Sequence, residues 1–368
     1  MKQISSLELS YILKELEILS DSRIDNVYNS GKSEFVFQFY KSNLGKFALK
    51  IILGKALYMS NIKEIDETPS GFCATLRKHL SGKFLSGIDQ IRPERILELV
   101  FSSKGETKKL YMEFFGNGNV VLCNSSDDII AALYYHKFKD RSVIPKAKYV
   151  YPKMRYNMFE ISQNDLYDLL VNSKREKIVT SLATELGLGG IYSEEICLIS
   201  RVDKNKNPTE VNDNDIKLIF HSIKNLISKK IASEAIFLND SIVDAVPFEL
   251  NLYNNLEKKS FDKFSEALEF YYENTKPIKK SEHEQKLEKL KRIIEEQTKV
   301  VEQLRLDEKE NREKAELIYH NYQLINGIIA EINDAAKKYS WKEIGKRLNG
   351  HKVVKEINLK EKSVVIEI

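Results

Sequence analysis

The chain has 368 residues, and 58 lysine and arginine residues against 54 acidic ones give it a formal net charge of +4. This length allows two or three domains with cores of their own, and the small excess of charge permits a local basic face without requiring one. The three cysteines stand far apart, the six histidines lack metal-ligand spacing, and no apolar run approaches the roughly eighteen residues of a membrane span, so we expect a cytoplasmic protein with no metal, cofactor or membrane segment.

The first predicted element is a helix. Ser5 and Glu8 have the spacing of a capping box, in which each residue satisfies a backbone amide of the other. The residues that follow place one apolar face on the helix, at Leu9, Ile12, Leu13, Leu16 and Leu19.

From residue 23 to about residue 135 the periodicity changes to short, strand-like runs. Examples are Phe35–Phe39, Phe47–Ile52, Ile96–Phe101 and Val120–Leu122. The run Phe115–Asn119 contains Asn-Gly and predicts a hairpin with a type I′ turn. One helix, over Pro69–Leu80, interrupts the strands, and together these elements predict an antiparallel β-sandwich with attached helices.

A basic and aromatic segment follows the predicted strands. Its cations are Lys137, Lys139, Arg141, Lys146, Lys148, Lys153 and Arg155, interleaved with Phe138, Tyr149 and Tyr151. This composition is typical of an RNA-contacting surface, because cations pair with phosphates and aromatic rings stack on unpaired bases. An ordinary loop with solubilising charge has the same composition.

The segment from Ser162 to about Ile231 has a helical pattern and contains a glycine-rich turn at Gly187, Gly189 and Gly190. The glycines permit a tight turn, and the helix predicted to open at Tyr192 would present free amides that suit a phosphate. The same turn needs small residues even if nothing binds there.

Leu186–Ile196 resembles the hairpin of the helix-two-turns-helix element in formamidopyrimidine-type DNA glycosylases. Those enzymes attack DNA with an N-terminal Pro followed by Glu, and many carry a four-cysteine zinc finger. This chain begins Met1-Lys2-Gln3 and has no paired cysteines. The resemblance therefore implies the binding architecture without the glycosylase chemistry.

A long helix is predicted near the end of the chain, because apolar residues recur alternately three and four positions apart. The seam runs through Leu287, Leu290, Ile294, Gln297, Val301, Leu304, Glu308, Asn311, Ala315, Ile318, Tyr322, Ile325, Ile329 and Ile332. Such a helix needs a coiled-coil partner, either a second segment or a second copy of the chain. A helix around Trp341 and a strand at Val364–Ile368 follow, and we expect the chain to be the N-terminal half of a larger protein.

The order of these parts resembles the NFACT family, the ribosome quality-control proteins called NEMF in animals and RqcH in bacteria, with archaeal relatives. The similar segments are Arg23–Tyr28, Phe72–Leu80, Phe115–Asn119, Leu186–Cys197, Pro247-Phe248 and Phe261–Phe264. The resemblance implies a factor that binds the large ribosomal subunit obstructed by peptidyl-tRNA and recruits tRNA for C-terminal tailing of the stalled chain. The ribosome would perform the peptide transfer, so we expect no enzymatic site.

The resemblance also implies three residues needed for tailing: Glu8 in the first helix, and Glu94 with Arg95 before a central strand. Both acids are Glu where the family usually has Asp. Glu8 has an alternative role as the helix cap, and Glu94 and Arg95 have one as a surface ion pair. Further RNA contacts are predicted at Arg77, Lys78, His79, Gly187, Gly189, Gly190, Lys146 and Lys148, although the first three also fit a solvated helix face.

The sequence thus predicts an α+β protein with a glycosylase-like antiparallel β-sandwich at residues 1–155 and a helix-two-turns-helix domain at 156–235. A connecting segment at 236–280 and a truncated coiled-coil domain at 281–368 follow. The expected partners are the large ribosomal subunit with its rRNA and tRNA or peptidyl-tRNA. Two alternatives remain: a fibronectin-binding adhesin, which the absence of an export signal disfavours, and a glycosylase-like nucleic-acid binder.

Overall fold

The structure is a computed structural model that describes residues 1–60, 66, 68–138, 141–152, 154–275, 282–348, 353–358, 361 and 363–367, with backbone alone at 282–289, 291–292, 295 and 356–357. Lys139, Lys153 and the side chain of Leu287, all named above, lie outside the described residues. The chain forms two compact units, Met1–Lys276 and Pro277–Ile368. The finer domain boundaries given above stay predictions.

The first unit is built on a nine-stranded antiparallel sheet. Its strands are β1 (Arg23–Ser30), β2 (Glu34–Lys41), β3 (Gly45–Ile52), β4 (Ala56–Met59), β5 (Phe84–Gln90), β6 (Ile96–Ser103), β7 (Glu106–Glu113), β8 (Asn119–Asn124) and β9 (Ile129–Ala132), in the spatial order β4-β3-β2-β1-β5-β6-β7-β8-β9. The helices α1 (Ser6–Leu16) and α2 (Gly71–Leu80) precede β1 and β5.

The sheet folds over on itself at its centre. Strands β1 and β5 pair only through Arg23 and Phe84, whereas each half of the sheet is paired along the full length of its strands. Phe39 of β2 and Phe101 of β6 stack with ring centroids 6.4 Å apart, so the two halves share an apolar interior. The predicted α+β class and antiparallel sandwich are confirmed.

The remaining elements of this unit follow the sandwich in chain order. They are the hairpin β10 (His136–Lys137) and β11 (Ser142–Val143), the helices α3 (Gln163–Val171), α4 (Ile178–Thr184), α5 (Gly190–Ser200) and α6 (Asp213–Ile227), the three-stranded sheet of β12 (Ser233–Leu238), β13 (Ser241–Val246) and β14 (Glu257–Phe261), and α7 (Phe264–Thr275). Short 3-10 turns lie at Glu17–Leu19, Pro208–Glu210 and Asn251–Tyr253. The helical region with a glycine hairpin between α4 and α5 is as predicted.

Two carboxylates, the half-buried Glu15 and the buried Glu195, tie these elements to one another. Glu15 of α1 accepts hydrogen bonds from the backbone amides of Phe264 and Ser265, at 2.6 and 3.1 Å, and so caps the start of α7. Glu195 of α5 accepts from the amides of Asn251 and Leu252, at 2.9 and 3.0 Å. One hydrophobic core runs through the sandwich, the helices and α7, which is why they form a single unit.

The loop between β7 and β8 forms the predicted hairpin but not the predicted turn. Gly116 and Gly118 have φ values of 58° and 74°, whereas Asn117 is not among the residues with positive φ. A type I′ turn needs positive φ at two adjacent residues, so that prediction is wrong. The loop instead fits against Gly54: a Cβ at Gly118 would lie 2.2 Å from the backbone nitrogen of Gly54.

The second unit consists of α8 (Glu282–His320), α9 (Tyr322–Lys338), α10 (Trp341–Leu348), β15 (Val354–Asn358) and β16 (Ser363–Ile366). The predicted long helix is present, but the prediction of one continuous helix is wrong, because Asn321 leaves helical geometry with φ −103° and ψ 13°. The described seam side chains from Leu290 to Ile329 are largely exposed, for example Leu304 at 59%. A small core forms around Ile344 and Val354.

Candidate nucleic-acid interface

A cleft of about 540 Å³ opens between the sandwich and the helical region of the first unit. It is lined by Gln3, Ser5, Ser6, Pro93, Glu94, Arg95, Phe115, Pro152, Met154, Ala183, Thr184, Gly187, Gly189 and Gly190. Five of the residues predicted to contact RNA or support tailing are therefore brought into one cavity by chain segments nearly a hundred residues apart. The cleft is the candidate site.

One wall of the cleft is the amino end of α5. The helix begins at Gly190, two residues before the predicted start, and its N-cap Gly189 has φ 82°. No side chain caps this end, so its first amides keep hydrogen-bonding capacity for a ligand, and the helix dipole there favours an anion. Gly187 also has positive φ, and a Cβ on it would lie 2.8 Å from Cε of Met154.

The opposite wall carries Arg95 and Glu94. Nη1 of Arg95 lies 3.4 Å from the carbonyl oxygen of Ile4, a long contact, and the guanidinium makes no ion pair with any other described residue. The predicted alternative, an ion pair between Glu94 and Arg95, is therefore absent from the described part of the chain. Burial lowers the pKa of Arg95, although nearby Glu94 and Glu8 oppose this. Arg95 thus has spare donors facing a cavity.

Glu94 is a partly buried acid with an unsatisfied atom. Its Oε1 is buried without a hydrogen-bond partner among the described residues. Burial raises the pKa of its carboxyl above the ordinary value, against smaller opposing effects of the Met154 backbone and of Arg95 and Arg141. A buried carboxyl oxygen without a hydrogen-bond partner lowers the stability of the fold. Proteins commonly retain such groups where a binding site requires them.

We expect Glu94→Gln to stabilise the protein at neutral pH by up to about 1 kcal/mol, after allowing for the partial exposure of the side chain. Because the folded-state pKa is raised, the unfolded chain ionises first as pH increases. The stability of the wild type relative to the variant should then fall from about pH 4.5 upward and level off above the raised pKa. Urea unfolding of both proteins at pH 4 and pH 8 checks this. A difference that is the same at both pH values contradicts it.

Glu8 lies beneath the cleft rather than in it. The residue is 1% exposed, and the predicted capping box is present: Ser5 Oγ accepts from the amide of Glu8 at 3.1 Å, and Glu8 Oε2 accepts from the amide of Ser5 at 2.7 Å. Its Oε1 accepts a hydrogen bond of 2.8 Å from the hydroxyl of Tyr192 in α5. Glu8 therefore positions Ser5 and α5, which both border the cleft, and is itself shielded from solvent.

The sequence reasoning missed the partners of Glu8. Lys2 Nζ lies 2.6 Å from Glu8 Oε1 and 2.7 Å from Oδ1 of Asp244 in β13, and all three side chains are nearly inaccessible. Burial alone would lower the pKa of Lys2, but the two carboxylates raise it above its ordinary value. Tyr253 donates a 2.7 Å hydrogen bond to the other oxygen of Asp244. No local sequence signal links residues that lie 242 positions apart.

The other predicted RNA contacts lie away from the lining of the cleft. Arg77 Nε donates to the carbonyl oxygen of Val27 at 2.6 Å. Burial, reinforced by Lys108 and Lys78, lowers the pKa of His79. Lys148 lies 3.1 Å from Asp128 in an exposed ion pair, while Lys146 is exposed with φ 67°. Their contact with RNA stays a prediction.

Within the described residues, no group of three or more histidine, cysteine or acidic side chains is arranged to hold a metal ion. Among the same residues, no helix combines the length and the apolar character needed to cross a bilayer.

Comparison with known proteins gives a family match over almost the whole chain. The model described as NFACT N-terminal and middle domains matches residues 5–367. The archaeal Rqc2 homolog aRqcH of Methanocaldococcus jannaschii is 29% identical over 95% of this chain and 55% of its own length. The human ribosome quality control complex subunit NEMF is 21% identical over 93% of this chain and 35% of its own length. The chain thus spans about half, or less, of these relatives.

Two solved structures are similar in fold to about three quarters of this chain. One is a fibrinogen-binding protein from Staphylococcus aureus, with a TM-score of 0.60 and 16% identity, covering 73% of this chain and 98% of its own. The other is the N-terminal part of a fibronectin/fibrinogen-binding protein from Streptococcus suis, with a TM-score of 0.59 and 20% identity, covering 74% and 99%. At these identities the likeness establishes the fold alone.

Proposed function

Because this chain belongs to the NFACT family, we propose that it is the part of a ribosome quality control factor that binds the obstructed large ribosomal subunit with its peptidyl-tRNA. In this proposal it also recruits tRNA for C-terminal tailing of the stalled chain, in the cytoplasm. The ribosome carries out peptide transfer, and the protein's task is to position RNA.

The observation that carries the proposal is the meeting of Arg95 with the amino end of α5 in one cleft. A guanidinium with spare donors and a row of uncapped amides both favour phosphate oxygens or the acceptor edges of bases. Buried Glu8, paired with Lys2, which also contacts Asp244, fixes α5 to the first helix through Tyr192, and this fixed position of α5 supports recognition of a ligand of defined shape.

The test is sedimentation of the full chain with large subunits that carry peptidyl-tRNA, together with binding of tRNA at several salt concentrations. We expect Arg95→Ala to weaken association by about 5- to 150-fold, the range for loss of one specific arginine contact. If Arg95 contacts phosphate, the variant should also reduce the slope of log affinity against log salt concentration by about 1.

The matched control is Arg92→Ala. Arg92 is exposed, lies 4.8 Å over the ring of Phe159 and does not line the cleft, so its removal takes away the same charge from a neighbouring position. Equal losses in both variants would indicate nonspecific electrostatics. Wild-type protein that stays at the top of the gradient, with tRNA affinity independent of salt, would overturn the proposal.

A further inference from the structure

A second feature of the first unit is a row of aromatic rings beside the cleft. Tyr134, His136 and Phe138 alternate along the chain and face the same way, with ring centroids 6.4 and 5.6 Å apart. The guanidinium of Arg141 continues the row, 4.9 Å from the ring of Phe138 and 5.5 Å from that of Phe115. We call Tyr134, His136, Phe138 and Phe115 the aromatic row.

The aromatic row is held rigidly at one end and open at the other. Arg141 is fixed by Glu113, with 2.6 Å between Nη1 and Oε1, and the side chains of this ion pair are only 10% and 5% exposed. Phe138, in contrast, is 51% exposed and His136 is also exposed. A group of exposed aromatic rings is unfavourable in water, and such a group on a rigid part of the surface commonly marks a contact surface.

The surroundings of the aromatic row indicate what covers it. Phe115, at its inner end, also lines the cleft with Arg95, so the row leads into the proposed RNA site. The guanidinium of Arg141 lies against the rings of Phe138 and Phe115 and supplies a cation at the inner end of the row. Rings with open faces beside cations match unpaired bases and their phosphates, because every base offers a π-face and every nucleotide a negative charge.

We propose that the aromatic row is a stacking surface for unpaired bases of RNA that enter the cleft. This proposal rests on the proposed function, since it adds a single-stranded segment to the RNA that the cleft holds. It predicts a preference for single-stranded over duplex RNA and little dependence on base identity, because stacking does not read hydrogen-bonding edges.

The experiment measures binding of the full chain to fluorescent oligouridylate, oligoadenylate and a matched RNA duplex by anisotropy. We expect both single strands to bind and Phe138→Ala to weaken them by about tenfold, the usual scale for loss of one stacked ring. Phe138→Trp should preserve binding. Because Phe138 covers Arg141, Tyr134→Ala serves as a second variant that leaves the buried ion pair in place, with the same expected direction.

Tyr167→Ala is the matched control, since Tyr167 is 44% exposed on α3 and lies outside the aromatic row. Photocrosslinking with 4-thiouridine should label the peptide that contains residues 134–138. Affinity unchanged in both Phe138→Ala and Tyr134→Ala overturns the inference, even if Arg95→Ala still weakens association with large subunits. The inference is also overturned if Phe138→Ala and Tyr134→Ala weaken association with large subunits but leave oligonucleotide affinity unchanged. A ribosomal protein, and not RNA, would then cover the rings. Retained stacking by a protein that does not bind large subunits would refute the proposed function alone.

Discussion

Replacing Glu8 with Ala is expected to lower the free energy of unfolding of the first unit by about 3–5 kcal/mol, the usual cost of removing one partner from a buried ion pair. In the variant, the ammonium group of Lys2 keeps the carboxylate of Asp244 but loses that of Glu8. The hydroxyl of Tyr192 loses its hydrogen-bond acceptor. It also removes half of the capping box at Ser5. Urea unfolding followed by near-ultraviolet circular dichroism of tyrosine measures the effect, since the single tryptophan, Trp341, belongs to the other unit.

The control for this prediction is Glu17→Ala, which removes an exposed acid just beyond the same helix and should change stability by less than about 0.5 kcal/mol. A double-mutant cycle of Glu8→Gln with Lys2→Met then isolates the interaction between the two side chains. If the two substitutions are additive, or if Glu8→Ala is as harmless as Glu17→Ala, the buried network does not hold the cleft together.

Gly118→Ala is expected to destabilise the first unit by about 3 kcal/mol or more. The new Cβ would lie 2.2 Å from the nitrogen of Gly54 and 2.8 Å from the carbonyl carbon of Leu53, and neither backbone atom can rotate away. Overpacking of this kind costs about 1–3 kcal/mol. The φ of 74° adds about 1–2 kcal/mol for any residue that has a Cβ. Urea unfolding gives the sum.

Gly116→Ala separates these two costs. Gly116 has a similar φ of 58° in the same loop, but nothing lies within 4 Å of its ideal Cβ position. The Gly116→Ala variant should therefore lose only the stability that the positive φ costs, about 1–2 kcal/mol. Because Phe115 stands in this loop and lines the cleft, Gly118→Ala should also weaken tRNA binding, whereas Gly116→Ala should not. Equal destabilisation by both variants would show that the approach to Gly54 contributes nothing.

The burial of Glu8 changes the explanation of the residues that the family resemblance implies for tailing. Arg95 and Glu94 face a cavity and are placed to contact a ligand directly, whereas buried Glu8 acts on the cleft through Ser5, through Tyr192 and through its charge near Arg95. Substitutions at Glu8 are therefore expected to act on RNA binding and on stability together. Substitutions at Arg95 should act on binding alone, and comparing the two effects for each variant separates the roles.

Much of the fold was predictable because its signals are local. A capping box joins residues three positions apart, the alternation of a strand repeats every second residue, and positive φ at a glycine depends on that residue alone. The first helix, the strands of the sandwich and the glycine hairpin were predicted on these grounds. Two predictions were wrong because distant contacts or small local preferences determine the backbone there. The turn at Gly118 is shaped by its contact with Gly54, and Asn321 interrupts the long helix although the apolar seam continues past it.

The sequence by itself determined the class of the protein, its family and the residue types available for RNA binding, since these follow from short-range patterns and their order. Only the tertiary structure decided which of those residues lie together. Arg95 and Gly190 line one cleft because the sandwich and the helices pack on a common core, and Lys2 meets Asp244 for the same reason. A side chain's exposure and its charged neighbours depend on contacts between distant segments, and spacing along the chain carries no record of them.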